Sequence, residues 1–154
     1  HLIDLMLWIC GQRPVAVSAL GNRISSAGSA YRYDDFRAAS LRFESGLVGR
    51  ITANFGCVHP HHHVLRAFGT QRTFLYDDAG ARIHASRDPQ AGAERLPQAS
   101  LPSAKGALIP EFVRSILDPA APAGGAQDIF DGMCVAIACD RAAATGQTET
   151  IEYL

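Results

Sequence analysis

Two strand-like runs joined by a three-residue turn constrain the fold more than any other feature of the sequence. The runs are Phe36 to Phe43 and Leu47 to Phe55, and the turn Glu44-Ser45-Gly46 carries glycine where a positive φ is often required. Alternate side chains of the second run separate into two sets. One set is Leu47, Gly49, Ile51, Ala53 and Phe55, and the other is Val48, Arg50, Thr52 and Asn54. The pattern predicts a β-hairpin with one face packed inward and an amphipathic opposite face.

Other alternating segments extend this hairpin into a predicted antiparallel meander. Val15, Val17 and Ala19 share one face of an earlier strand, and the Ser- and Gly-rich stretch Asn22 to Tyr33 is typical of a flexible connection. Ser86 to Gly106, which holds three prolines, is typical of a long surface loop with room for one short strand. Further strands are predicted at His63 to Phe68, Thr73 to Tyr76 and Ala81 to Ala85, and a last one at the sheet edge at Thr150 to Tyr153.

Helical periodicity occurs at both ends of the sequence. The first helix ends at Gly11, the second is Leu108 to Leu117 and ends before the Pro119 to Gly125 run, and the third is Asp128 to Thr145. The second helix carries an apolar stripe of Ile109, Phe112, Val113 and Ile116. The order predicts an α+β fold, a mostly antiparallel open sheet with helices packed on one face. The other face is then a natural oligomer interface, and residues 1–154 form a single domain.

Composition narrows the class of protein. Fourteen Lys and Arg residues against fifteen Asp and Glu residues, with no basic run, exclude the usual footprint of nucleic-acid or anionic-membrane binding. No apolar stretch is long enough for a membrane-spanning helix. The four cysteines form no C-x-x-C pair, which favours reduced, mostly buried thiols and a cytoplasmic location.

The first helix begins with residues capable of proton transfer. His1, Asp4 and Trp8 are spaced to share one helical face. A histidine oriented by a carboxylate is a general acid/base arrangement, because imidazole exchanges protons near neutral pH. The alternative is an exposed histidine at a helix start, followed by a first-turn aspartate that the helix dipole favours.

A second cluster of histidines lies at His59-Pro60-His61-His62-His63. In an extended segment His59, His61 and His63 fall on one side, which suits either a zinc, copper or nickel site or a polar patch facing a substrate, with His61 and His63 as the contacts. Ordinary loop histidines are the third interpretation.

No G-x-G-x-x-G, G-x-x-x-x-G-K-[ST], G-x-S-x-G or H-E-x-x-H motif occurs in the sequence. Several segments taken in order nevertheless resemble the C-terminal domain of the Gfo/Idh/MocA oxidoreductases. They are His1-Leu2-Ile3-Asp4-Leu5 with Trp8 and Gly11; Leu41 to Gly46 followed by Gly49 to Phe55; Phe68-Gly69-Thr70; and Asp128 at the last long helix.

The resemblance implies a function for the parent protein. In that family an N-terminal Rossmann domain binds NAD or NADP, and the C-terminal domain supplies an open sheet, part of the substrate pocket and usually the oligomer interface. The histidine of the H-x-x-D segment, here His1, acts with an upstream Asp and a Lys of the first domain, neither of which has a counterpart in this chain. The expected substrate is a sugar, polyol or related hydroxy compound.

Further expectations concern the assembly, its partners and the behaviour of the isolated chain. The assembly is expected to be a homodimer or homotetramer, without nucleic-acid or membrane partners. The isolated chain is expected to bind no dinucleotide and to be inactive. A different class of function is a non-catalytic binding or assembly module that shares the sheet domain.

Overall fold

The computed structural model describes residues 1–97, 105–118, 120 and 125–154. Within these ranges the chain divides into two compact units, His1–Cys57 with Glu111–Leu154, and Val58–Pro110. The helices are α1 (Leu2–Cys10), α2 (Ile109–Leu117, preceded by a 3-10 turn at Lys105–Leu108) and α3 (Ala126–Thr145). The strands are β1 (Pro14–Asn22), β2 (Phe36–Phe43), β3 (Val48–Asn54), β4 (Leu65–Phe68), β5 (Thr73–Asp77), β6 (Gly80–His84), β7 (Glu94–Arg95) and β8 (Glu149–Thr150).

The first unit is built on a four-stranded antiparallel sheet in the order β3-β2-β1-β8. The predicted hairpin forms its centre: β2 and β3 pair from Phe36 opposite Asn54 to Arg42 opposite Val48. Gly46 closes the turn at φ 85°, a left-handed conformation that glycine adopts without steric cost. The predicted inward face is confirmed in part: Gly49, Ile51 and Ala53 are half-buried and the residues between them exposed, but Leu47 and Phe55, at the two ends of the set, are exposed.

Helices α1 and α3 cover the inward face of this sheet. The core contains Val17, Leu41 and Phe43 of the sheet and Val135, Ala138, Cys139 and Ala142 of α3. Ile3, Met6 and Cys10 of α1 pack against it from the side. Packing of α1 and α3 on one face was predicted; α2 differs, because its apolar stripe of Ile109, Phe112, Val113 and Ile116 is 44–65% exposed.

The second unit is a separate four-stranded antiparallel sheet in the order β4-β5-β6-β7. The prediction of one continuous meander is therefore wrong, because the chain leaves the first sheet after Asn54 and begins a new one at Leu65. The turn between β5 and β6 is held by Asp77, which accepts hydrogen bonds from the amide of Ala79 at 3.0 Å and from both terminal nitrogens of Arg82 at 2.7 and 2.8 Å. The hydrogen bonds from Arg82 and Ala79 lower the pKa of Asp77 well below its usual range.

The remaining local predictions concern the end of α1, the last strand and the loop that follows β6. Gly11 ends α1 as expected, in the left-handed conformation at φ 59°. The last strand does lie at the sheet edge beside β1, but it is only Glu149–Thr150. The predicted loop at Ser86 to Gly106 contains one short strand, β7, which the prediction allowed. Its residues 98–104 lie outside the described residues, as do 119 and 121–124 of the Pro119 to Gly125 run.

All four cysteines are free thiols, as predicted. The expectation that most are buried is wrong: Cys139 is buried, Cys10 and Cys134 are half-buried and Cys57 is exposed. Burial raises the pKa of the Cys139 thiol, and also that of Cys10. In the described part of the chain, none of the helices combines the length and apolar character that crossing a bilayer requires.

A polar network ties the C-terminal residues to the start of β1. The hydroxyl of Tyr153 donates to the carbonyl of Pro14 at 2.7 Å, and the Arg13 guanidinium lies 5.3 Å from the centre of the Tyr153 ring. Arg13 also pairs with Asp131, a buried carboxylate of α3. Desolvation, and then the nearby Asp131 charge, raise the pKa of Tyr153 to about 12.

The raised pKa of Tyr153 predicts a loss of stability in alkali. Because the folded state disfavours the phenolate, the stabilisation is complete below the ordinary pKa of 10 and is lost as the pH rises towards about 12. The difference in unfolding free energy between the wild type and Tyr153→Phe should therefore shrink between those pH values, as measured by urea denaturation. At neutral pH the variant should lose about 0.5–1.5 kcal/mol with its hydrogen bond.

The control for this experiment is Tyr33→Phe, which removes a hydroxyl from an exposed ring. It should leave both the neutral stability and the alkaline profile of the wild type unchanged. Parallel profiles for the wild type and Tyr153→Phe up to pH 12 would contradict the account.

Candidate functional site

The predicted catalytic histidine stands at the exposed start of α1. His1 is the capping residue of this helix, and its carbonyl accepts a hydrogen bond from the amide of Leu5 at 3.0 Å. Asp4 and Trp8 are also exposed, Trp8 to 80%. Among the described residues no hydrogen bond or ion pair joins the side chains of His1 and Asp4, so Asp4 here is a first-turn acid and does not brace the imidazole.

The position of His1 is set by the opposite side of α1. Ile3, Met6 and Cys10 hold that side against the core, and Met6 reaches β3 at Gly49. A Cβ at Gly49 would lie 2.7 Å from the Met6 sulfur, so a larger residue at this position would require the Met6 side chain to shift. The packing directs the apolar side of α1 inward and leaves His1 and Trp8 to the surface.

The histidine cluster of the second unit is bent rather than extended. The rings of His59 and His62 lie 5.2 Å apart between centroids, and those of His61 and His63 lie 5.1 Å apart. Asp78 approaches the first pair, with its carboxylate oxygens 3.4 Å from Nδ1 of His62 and 3.8 Å from Nε2 of His59. The expectation that His59, His61 and His63 lie on one side is therefore wrong, because the segment carries bends around Pro60 and not a strand.

The bent geometry of the histidine cluster affects whether these side chains can hold a metal ion. Within the residues that the structure describes, no group of three or more His, Cys, Asp or Glu side chains is arranged to hold a metal ion. His61 and His63 are both exposed and stack edge to face, so their rings are accessible to a ligand. They belong to the second unit, whereas His1 belongs to the first.

A feature that the sequence interpretation missed lies at the end of the first sheet, where Asn22 to Tyr33 was predicted to be flexible. The connection from β1 to β2 is fixed by Asp35, which is only 4% exposed. Its amide donates to the carbonyl of Asn22 at 3.0 Å, its carbonyl accepts from Phe55 at 2.8 Å, and its carboxylate accepts from the amide of Ser26 at 2.5 Å. The available signal was the acidic pair Asp34-Asp35 directly before a strand.

The two acidic residues of this pair have different surroundings. Asp34 binds Arg37, with the shorter contact at 2.6 Å, and Arg37 also pairs with Asp140 of α3. Burial would lower the pKa of Arg37, but its hydrogen bonds to Asp34 and Asp140 outweigh that effect and raise it. Asp35 has no such cation among the described residues. Asp35, Ser26 and Tyr31 instead line a surface cleft of about 440 Å³.

The fold of the chain matches that of known oxidoreductases. An aldose-aldose oxidoreductase from Caulobacter crescentus, solved with glycerol, has a TM-score of 0.77 at 21% identity, over 96% of this chain and 44% of that one. A levoglucosan dehydrogenase, solved with NADH and levoglucosan, has a TM-score of 0.78 at 15% identity, over 100% and 49%. An NAD-binding protein from Listeria innocua has a TM-score of 0.74 at 22% identity, over 99% and 46%.

These likenesses show that the chain shares the fold of these solved proteins, and the sequence adds a match to a family model. Residues 1–75 match the model of the GFO/IDH/MocA C-terminal domain. The predicted resemblance to the C-terminal domain of the Gfo/Idh/MocA oxidoreductases is therefore confirmed. The chain spans about half the length of the solved structures that it matches. No curated protein matches the sequence.

Proposed function

We propose that this chain is the substrate-binding and oligomerisation domain of an NAD(P)-dependent oxidoreductase that acts on a sugar, polyol or related hydroxy compound. The observation that carries the proposal is the family match over residues 1–75, which begins at His1. Support comes from solved relatives of the same fold, whose names include NADH, levoglucosan and glycerol as bound molecules.

Two features of this chain argue against placing the dinucleotide on it. The sequence has no glycine-rich phosphate cradle, and the long helix α3 opens with Asp128 in its first turn, where a carboxylate repels a phosphate. The proposal therefore places the dinucleotide on another domain of the parent protein. A nicotinamide bound there would supply the acceptor for the hydride of the substrate's carbinol carbon.

The role of this chain is then the transfer of a proton. His1 takes the hydroxyl proton of the substrate as the carbinol becomes a carbonyl, and it returns that proton in the reverse direction. The exposure of His1 leaves its imidazole accessible to a substrate. Trp8, on the same side of α1, is also exposed and could be covered by the surface of a partner. His61 and His63 are proposed as substrate contacts through their exposed ring nitrogens.

The proton-transfer role predicts the behaviour of His1→Gln in the full-length protein. The substitution should lower kcat by about 10²–10⁴-fold, the usual contribution of a general acid or base, with little change in KM. Steady-state kinetics on the sugar that the wild type oxidises measures both constants. Asp4→Asn is the matched control on the same helix, and it should reduce kcat only a few-fold because no hydrogen bond or ion pair joins Asp4 to His1 among the described residues.

Two outcomes would contradict this assignment. If His1→Gln turns over at the wild-type rate, another group moves the proton. If the wild-type protein reduces neither NAD nor NADP with any sugar or polyol, the non-catalytic binding or assembly module is the better description.

The sheet face away from α1 and α3 is proposed as the surface that forms a homodimer or homotetramer. The pairing register places Leu20, Ala38 and Thr52 side by side on this face, and it places Val48 beside Arg42. Leu20 and Val48 are both exposed apolar side chains. Apolar groups among polar neighbours are typical of a face that another copy covers.

A double substitution tests this surface. Leu20→Asp with Val48→Asp should shift the full-length protein to a smaller species in light scattering, because two copies would then bury like charges against each other. Ile24→Asp is the control, since Ile24 is equally exposed but lies in the β1–β2 connection. A wild-type protein that stays monomeric at high concentration would refute the proposal.

A further inference from the structure

The cleft beside Asp35 holds two polar groups with unmet hydrogen-bonding capacity. It lies at the end of the first sheet, between the β1–β2 connection and the residues that follow β3. Its volume of about 440 Å³ falls in the range of small-molecule sites. Asp35 and Ser26 supply its polar groups, while Tyr31 and Phe55 supply aromatic ones.

The Asp35 carboxylate is unusually placed for a charged group. It is almost fully buried, and the hydrogen bond from the amide of Ser26 engages one of its two oxygens. Among the described residues no Arg, Lys or His pairs with it, since Arg37 is occupied by Asp34 and Asp140. A buried carboxylate is costly unless its oxygens accept hydrogen bonds, so further donors at the second oxygen would be strongly favoured.

The Ser26 hydroxyl is the second such group. In the described part of the chain its Oγ is buried and has no hydrogen-bond partner, although the Ser26 carbonyl accepts bonds from the amide and hydroxyl of Ser29. An unpaired buried hydroxyl destabilises a protein, and such groups call for a specific explanation. A ligand hydroxyl in the cleft can both donate to Ser26 and accept from it.

The walls of the cleft are held in place. A Cβ at Gly56 would overlap the side chain of Ser25, so glycine lets the β1–β2 connection press against the end of β3. Arg23 donates a hydrogen bond to the carbonyl of Tyr31, which holds the other side of the β1–β2 connection in place. The cleft is therefore preformed, which reduces the entropy lost when a ligand binds.

We infer that this cleft binds a ring or short chain that carries adjacent hydroxyl groups, with Asp35 and Ser26 as its polar contacts. The carboxylate accepts from two hydroxyls and disfavours an anionic ligand, while Tyr31 and Phe55 offer flat apolar faces to the C–H groups. The inference rests on the proposed function for its substrate class and deepens it, because it names residues that select the substrate.

Ser26→Ala gives the sharpest test, because the hydroxyl that it removes has no partner among the described residues. A purely structural role predicts unchanged or higher thermal stability and unchanged binding. The inference predicts unchanged or higher stability but several-fold weaker binding of the sugar. D-glucose and myo-inositol are the probes, titrated into the 154-residue chain and followed by chemical-shift changes of the Ser26 and Phe55 amides.

Asp35→Asn is a second variant that tests the same cleft. The asparagine side-chain oxygen can still accept from the Ser26 amide, so the connection keeps its hydrogen bond while the charge is lost. Binding should weaken about tenfold or more, since hydrogen bonds to a charged acceptor are the stronger class. Ser40→Ala is the control: it removes an exposed hydroxyl outside the cleft and should change neither stability nor binding.

The outcomes separate this inference from the proposed function. If the full-length protein oxidises a sugar but its KM is unchanged in Ser26→Ala and Asp35→Asn, the cleft inference fails and the function stands. If the chain binds sugars through Asp35 but the full-length protein transfers no hydride, the function fails and the cleft stands. If tetramethylammonium shifts the cleft amides and neither sugar does, the polyhydroxy class is wrong.

Discussion

The close contact between α3 and the centre of the first sheet is the constraint on which the rest of the structure depends. Val135 and Ala142 are completely buried, and Ala138 and Cys139 nearly so, against Val17, Leu41 and Phe43. Small side chains on that side of α3 allow the helix axis to approach the strands, so that the larger strand residues fill the space between them. Burial of this apolar surface is the main stabilising contribution to the first unit.

The position of His1, the proposed catalytic residue, depends indirectly on this contact. The side of α1 that carries Ile3, Met6 and Cys10 packs against the core that α3 completes. His1 is therefore positioned by packing beneath the helix, since no described residue is hydrogen-bonded to its side chain. The buried Asp131 adds a second link, because Arg13 pairs with it from the segment that joins α1 to β1. Helix α1 and the segment that joins it to β1 are thus both held against the same face of the sheet.

Local signals account for what the sequence predicted well. Gly11 and Gly46 end a helix and close a hairpin through their own backbone conformations, and the alternation from Val48 to Asn54 follows from the geometry of a single strand. These features need no information about distant parts of the chain. The family resemblance likewise rests on short ordered motifs, and it is the part of the functional prediction that the comparisons confirm.

The features that the sequence could not predict depend on contacts between distant residues. The stretch Asn22 to Tyr33 has the composition of a flexible linker, but Asp35, which donates to Asn22 and accepts from Ser26 and Phe55, fixes its end against β3. Bends around Pro60 interrupt the alternation of side chains that was predicted for the histidine segment. The strands that follow this segment form a separate sheet. In both places tertiary structure overrides local pattern.

The central claim is that this fold serves hydride transfer from a hydroxy compound. The most direct measurement is mass spectrometry of the nicotinamide after the full-length protein has acted on C-deuterated aldoses and polyols. The account predicts reduced cofactor that carries one deuterium from the carbinol carbon of at least one substrate. Cofactor that remains oxidised with every member of the panel, or that is reduced without deuterium, would contradict it.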